Sequence, residues 1–317
     1  MQNVAPTNSF QIPTADGKLN LSLELYKNPN LPITNSKNTP LLLFIHGAGE
    51  HTGGFHDFFL RIFNNKKQNL DCDFLIYNQR SHGPKHMNSS KVLHFRLDDL
   101  SNDLHTVCNF IKNEKELADR KLFLLGNSLG GIIIFNAALK DESCCRKFSE
   151  ELKITGVILE NPFLQPDPAS AGWLLKKAVS IFGCLIPGVT VPQAIEIDKI
   201  TRDPYRLQLM RDDKYYQPVG DFGSAKDTLG TGDRYYFNRS EILTKWPKNI
   251  PISLNIGTGD QIVDPIASQK IFEFINEKTN RKNQLNLYDG AYHSLKSEVD
   301  EVFEKFVENI CLFIEEE

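Results

Sequence analysis

Short apolar runs alternate with stretches of helical spacing along most of the chain. Leu41 to Ile45, Asp73 to Tyr77, Lys121 to Leu125 and Thr155 to Leu159 are brief, rich in large or branched apolar residues and bounded by polar or glycine-containing segments. That pattern predicts buried strands. Leu19 to Tyr26 alternates and reads as an early edge strand, while Pro251 to Ile256 and Gln284 to Tyr288 repeat the strand pattern late in the chain. Leu97 to Lys112 and Gly130 to Lys140 have helical spacing, and Val299 to Ile314 places Val302, Phe303, Phe306, Ile310 and Phe313 on one stripe. Strands that take turns with helices predict an α/β fold: a mostly parallel central sheet with helices on its faces.

The alternation stops between Asn161 and Lys248, where Pro, Tyr, Asp and Gly are dense. An insert of that length inside a compact domain is expected to be a structured cap or lid rather than a bare loop. The expected organisation is therefore a core of residues 1–160 and 249–317 with a cap at 161–248. Within the insert, Trp173 to Phe182 followed by Leu185 and Ile186 form an apolar stripe with Lys176 and Lys177 opposite. Such a helix either packs on the core, the commoner fate of an amphipathic helix, or lies on a bilayer or micelle surface.

Candidate chemistry begins at Gly126-Asn127-Ser128-Leu129-Gly130, a G-x-S-x-G pentapeptide directly behind one predicted strand and ahead of a predicted helix. Glycines on both sides allow a turn sharp enough to lift a serine hydroxyl to the top of a sheet, beside helix amides that favour negative charge. A larger side chain at Gly126 or Gly130 would collide with that turn. A serine hydroxyl needs an imidazole to take its proton and a carboxylate to fix the imidazole tautomer. In the α/β-hydrolase arrangement the chain order is Ser, acid, His. Asp260, in the turn Gly257-Thr258-Gly259-Asp260, is the expected orienting acid, and His293, behind Asp289-Gly290-Ala291-Tyr292, the expected base. Asp264 and Asp289 are rival acids, better explained as a helix N-cap before Pro265 and as a turn residue. Backbone amides would stabilise the oxyanion: Leu129 from the elbow, and Ala48 from the loop His46-Gly47-Ala48-Gly49-Glu50 that follows an early strand.

His46-Gly47-Ala48-Gly49-Glu50-His51, Gly126 to Gly131, the Gly257 to Asp264 turn and Gly290-Ala291-Tyr292-His293 together resemble the monoacylglycerol lipases and related lysophospholipases. Asn78-Gln79-Arg80-Ser81-His82-Gly83 is similar to that family's loop ending in G-H-G, and Thr201-Arg202-Asp203-Pro204 to a stretch in the cap of microbial members. The resemblance covers most of the chain. It implies an α/β-hydrolase fold and a serine hydrolase that cuts the ester of a single-chain acyl lipid through an acyl-serine intermediate, using Ser128, Asp260 and His293 and no cofactor.

Two departures bear on substrate. The family's glycerol-gripping set is a Glu in the H-G-A-G-E run, an Arg four residues later and a His three residues after the catalytic one. Here Glu50 remains, Gly54 and Lys296 stand at the other positions, and Asn127 stands where many members carry a histidine. Glu50 and Lys296 are the candidate substrate contacts. Lys296 would favour an anionic head group such as a glycerophosphate, although a solvated surface lysine is the ordinary expectation.

Composition narrows the remaining classes. The net charge of −4 and the lack of a Lys/Arg block predict no attraction to nucleic acid. No secretory pattern and no run of about eighteen apolar residues is present, so a cytosolic location is expected, with membrane-surface contact limited to the cap. The sequons at Asn20, Asn88 and Asn238 then carry no weight. The cysteines lack metal-ligand spacing, and His51 and His56 lack a third partner, so no metal site is expected. His46 and His82, in tight glycine-containing loops, are expected to brace those loops. A dehalogenase or epoxide hydrolase would carry Asp at position 128. A ligand-binding relative without activity would tolerate decay of the triad, and a general carboxylesterase, peptidase or acyltransferase would share it.

Overall fold

A computed structural model describes residues 4–31, 38–65, 68, 70–86, 92–191, 195–238, 245–278 and 282–317. The sequon at Asn88 lies outside them. Eight strands form one sheet in the order β1-β2-β4-β3-β5-β6-β7-β8. They are β1 Asn8–Pro13, β2 Asn20–Tyr26, β3 Leu41–Ile45, β4 Asp73–Tyr77, β5 Leu122–Asn127, β6 Ile154–Glu160, β7 Ile252–Gly257 and β8 Gln284–Tyr288. β2 runs antiparallel to both β1 and β4, and every pairing from β4 through β3 to β8 is parallel. The α/β expectation therefore holds.

The early edge assignment does not. β2 is covered by β1, whose half-polar sequence Asn-Ser-Phe-Gln-Ile-Pro makes the actual edge. Polar alternation is what an edge strand needs, because one face and one row of amides meet water.

Side chains alternate across the central strands. Leu41, Leu43, Ile45, Leu122 and Leu124 enter one buried cluster, with Leu100, Leu104, Ile133 and Phe135 of the helices α2 (Leu97–Asn113) and α3 (Leu129–Leu139). Leu42, Phe44, Phe123 and Leu125 enter the other, with Phe58 and Phe59 of α1 (His56–Phe63) and the C-terminal stripe Phe303, Phe306, Ile310 and Phe313. This two-residue period is the strand signature that made the sheet readable.

Between β6 and β7 the described residues include the helices α4 (Trp173–Leu185), α5 (Pro204–Asp212) and α6 (Phe222–Phe237). α4 is oriented opposite to the core-packed reading. Its buried residues are Val179 and Gly183, and it packs on α6, where a Cβ on Gly183 would lie 2.5 Å from Lys226 Cβ and 2.7 Å from Phe222 O. Lys176 points inward to Gln165 (2.6 Å) and Asp233, while Leu174, Ile181 and Leu185 face outward. α7 (Pro265–Lys278) and α8 (Asp300–Glu316) complete the layers over the sheet. Among the described residues, no helix is long and apolar enough to cross a membrane.

Candidate active site

The elbow between β5 and α3 is a backbone construction. Ser128 has φ 52° and ψ −113°, a region that costs a non-glycine residue about 1–3 kcal/mol unless its surroundings fix it. They do: Ser128 N–H donates to Glu160 O at 3.1 Å, and Ser128 O accepts from Phe163 N–H at 2.9 Å and Gly131 N–H at 3.0 Å. The expected intolerance of side chains is visible in distances. A Cβ on Gly130 would sit 1.9 Å from Ile45 O, and one on Gly126 would sit 2.8 Å from Gly130 O. α3 then runs through the core with every residue buried, which is why it is apolar on all sides.

The loops after β7 and β8 bring Asp260 and His293 together. Asp260 Oδ1 accepts from Ile262 N–H (2.7 Å) and Val263 N–H (3.1 Å), leaving Oδ2 to accept from His293 Nδ1 at 2.7 Å. Because an ionised carboxylate only accepts, the proton belongs on Nδ1 and the lone pair on Nε2. Both side chains are buried. His293 and Ser128 line one small cavity with Gly47, Ala48 and Glu50. The two loops are held backbone to backbone, with Gly259 N–H donating to Ala291 O at 3.0 Å. The rival acid Asp264 caps α7 instead, accepting from Ile266 N–H at 2.9 Å and Ala267 N–H at 3.1 Å.

The third loop follows β3. Gly47 N–H donates to Glu50 Oε2 at 2.7 Å. Gly49 has φ +84° and lies so close to Gln217 that a Cβ would meet its carbonyl oxygen at 2.6 Å. Ala48 lines both cavities that contain Ser128. Leu129, the first residue of α3, has an N–H with no acceptor within its own helix.

His46 and His82 act as braces. His46 is fully buried, donates from Nδ1 to Gly47 O (2.8 Å) and accepts at Nε2 from Gln79 N–H (3.3 Å). Burial pushes its pKa down to about 3, outweighing the Gly47 bond. His82 Nδ1 is 2.7 Å from Arg80 O. His51 pairs with Asp213 at 2.7 Å. Among the described residues no group of three or more His, Cys, Asp or Glu side chains is placed to hold a metal ion.

Lys296 is the principal correction. It is not a solvated surface lysine: it is 4% exposed, and its Nζ lies 2.9 Å from Glu50 Oε1, 3.1 Å from Asn127 Oδ1 and 3.0 Å from Ser294 Oγ. Burial alone would depress its pKa, but the carboxylates of Glu160 and Glu50 outweigh burial and raise it. All three ammonium hydrogens are engaged within the protein, so none is left for a phosphate. Sequence reading also passed over Glu160 and Asn161 at the end of β6. Glu160 Oε1 accepts from Lys296 N–H at 3.0 Å, while Asn161 donates to His293 O (2.8 Å) and accepts from Gly257 N–H (2.9 Å). A Glu-Asn pair ending a strand of branched residues was the available signal.

Two sets of cavities flank Ser128. On one side a cavity of about 200 Å³ is lined by Leu93, Phe95, Leu129, Phe163 and Leu229, among others. It adjoins a second of about 210 Å³, sharing Phe163, Val191, Ile195 and Leu229 and reaching the inner side of α4. On the other side, Glu50 and Tyr216 separate Ser128 from a mixed cavity of about 270 Å³, lined by Phe55, Phe58 and Leu209 together with Asp57, Arg206 and Lys296.

A strand-serine-helix elbow on a mostly parallel sheet, with a carboxylate-imidazole pair from the loops after β7 and β8, defines a serine hydrolase of the α/β-hydrolase fold. A family model described as serine aminopeptidase, S33, matches residues 36–300, and the chain belongs to that family. It is similar to a putative monoglyceride lipase of Schizosaccharomyces pombe, 24% identical over 287 residues that make up 89% of this chain and 70% of that one. It is equally similar to the monoglyceride lipase of Rattus norvegicus, 24% identical over 86% of this chain and 82% of that one. Among solved structures, a soluble variant of monoglyceride lipase from Saccharomyces cerevisiae, in complex with a substrate analog, superposes with a TM-score of 0.80 at 22% identity, covering 99% of this chain and 96% of that one. These relatives agree with the resemblance read from the motifs.

Proposed function

We propose that the protein hydrolyses the carboxylic ester of single-chain acyl lipids of the monoacylglycerol type through an acyl-serine intermediate. The carrying observation is the 2.7 Å His293–Asp260 pair beside an elbow serine that lines an apolar cavity on one side and, on the other, a small cavity it shares with Glu50, Asn127 and His293. Ser128 Oγ attacks the acyl carbon while His293 Nε2 takes its proton. The N–H groups of Ala48 and Leu129 receive the developing oxyanion. As the acyl C–O bond breaks, His293 returns the proton to the departing glycerol oxygen. Water then enters, gives its proton to His293 and attacks the acyl-serine, releasing fatty acid and restoring Ser128. The fatty chain lies in the apolar cavities beneath α4, and the alcohol faces Glu50, whose carboxylate accepts a hydroxyl hydrogen bond.

The outward apolar face of α4 supports transient contact with a lipid surface, from which a single-chain substrate would enter beneath the cap (161–248). Residues 192–194 and 239–244 of that cap lie outside the described residues.

A fluorophosphonate probe should label the wild type and not Ser128→Ala, and a panel of equal-chain esters should favour monoacylglycerol over lysophospholipid. Equal labelling of both proteins discards the elbow, and preference for the lysophospholipid discards the head-group reading.

A further inference from the structure

The ammonium of Lys296 lies where the three loops bearing the proposed reactive groups meet. Each of its hydrogens goes to a different loop. Glu50 (2.9 Å) holds the oxyanion loop, because its other oxygen accepts from Gly47 N–H at 2.7 Å, next to Ala48. Asn127 (3.1 Å) is the residue before Ser128, and Ser294 (3.0 Å) the residue after His293. The rings of Phe44 and Phe55 flank Nζ, with centroids at 5.8 and 5.5 Å. They form a low-dielectric wall with faces attractive to a cation. The main chain adds a fourth anchor through Lys296 N–H to Glu160 Oε1 at the end of β6.

We propose that Lys296 is a positioning residue, a three-way tie that sets the spacing of oxyanion loop, nucleophile elbow and histidine loop, rather than a ligand for the head group. The proposal rests on the reading of Ser128 and His293 given above. It follows from donor geometry: a tetrahedral ammonium directs its three N–H bonds along fixed, divergent lines, so three acceptors on three loops fix one another's positions. Transfer of a proton between Ser128 and His293 depends on such spacing, and a misplacement of about 1 Å costs about a hundredfold in rate.

A lysine that serves stability alone would also be missed, so the test separates the two. Lys296→Met keeps the apolar stem and removes the ammonium, and Lys296→Met with Glu50→Gln also removes one of the two carboxylates, Glu50 and Glu160, that the ammonium faces. With a short, water-soluble acyl ester, the single variant should lose about a hundredfold in kcat with KM changed by less than about threefold, and fluorophosphonate labelling should slow in parallel. The double variant should regain part of the lost Tm but not kcat. Recovery of kcat together with Tm, or an intact kcat with a raised KM confined to anionic lysophospholipids, overturns the proposal. If Lys296→Met does not fold, Ser294→Ala and Asn127→Ala each remove one tie and should lower kcat several-fold at constant KM; unchanged kcat in both overturns it. Failure of the underlying serine-hydrolase reading looks different, since the wild type itself would then escape labelling.

Discussion

The outward face of α4 gives the sharpest quantitative expectation. Leu174, Ile181 and Leu185 fall on one helical line and are 68%, 56% and 72% exposed, with Trp173 beside them at 64%. Fully burying such an aliphatic side chain contributes about 1.5–3 kcal/mol, so inserting three that are roughly two-thirds exposed contributes about 3–6 kcal/mol. At about 1.4 kcal/mol per factor of ten, that is a partition difference of about 10²–10⁴. Replacing all three with serine should therefore weaken binding to neutral phosphatidylcholine vesicles at least about a hundredfold. Binding is read by co-sedimentation and by the blue shift of Trp173 fluorescence. These residues face away from α6, so Tm should hold, and turnover of a monomeric water-soluble ester should be unchanged while turnover of vesicle-borne substrate falls. Neutral vesicles are the right probe, because a chain of net charge −4 has no electrostatic attraction to anionic lipid that would mask the apolar contribution. A change in vesicle affinity below about tenfold would refute the reasoning, since the three side chains together are expected to give at least about a hundredfold.

Gly130→Ala should destabilise the fold by more than about 3 kcal/mol in urea titration, because its Cβ would meet main-chain atoms Ile45 O at 1.9 Å and Ile45 C at 2.7 Å that cannot swing away; a loss under about 1 kcal/mol would contradict the elbow geometry. Asp260→Asn should lower kcat by about 10³–10⁴-fold with little change in Tm, since an amide in place of the acceptor favours the wrong imidazole tautomer; steady-state kinetics near wild type would remove Asp260 from the triad. His46, neutral in the fold with a pKa near 3 against 6.5 when unfolded, contributes stability that is present above the unfolded value and lost as pH falls towards 3. From pH 7 to pH 5 the unfolding free energy of wild type relative to His46→Gln should drop by about 2 kcal/mol, and a constant difference would show that the buried imidazole does not resist protonation.

What could be read from the sequence was what the backbone demands locally. A strand with both faces buried must be continuously apolar, and an elbow that brings Gly130 against Ile45 O can carry only glycine there, so β5, α3 and Ser128 were legible together. The late acid and histidine followed from chain order and strand patterning. Lys296 was not legible, because its burial depends on acceptors at 50, 127 and 294 that come together only in three dimensions. α6 was missed for a related reason. Gly223, Gly230 and Gly232 argue against a helix in isolation, yet Gly232 is needed where the helix crosses Leu164 O, which a Cβ would meet at 2.5 Å. For α4, periodicity showed two unlike faces but not which faced inward. The inward choice was made by Gln165 and Asp233, which take Lys176, and by the close approach at Gly183.

The same contacts divide the insert into two mechanical parts. Its later segment is fastened to the reactive loops: Ser294 N–H donates to Ile200 O at 2.8 Å, Thr201 Oγ1 to Ser297 O at 2.7 Å, and Arg202 Nε pairs with the buried Glu298 at 3.1 Å. Gln217 N–H donates to Gly49 O at 2.9 Å, and Asp213 holds His51. These residues fix the histidine and oxyanion loops from above as Lys296 does from within. α4 makes its close contacts with α6, and its underside borders the apolar cavity. A lipid surface acting on Leu174, Ile181 and Leu185 would therefore load the roof of the fatty-chain cavity without passing through the hydrogen bonds that set Ser128, Asp260 and His293. Surface attachment and bond cleavage are then separable by mutation, and loss of one with retention of the other is the expected pattern.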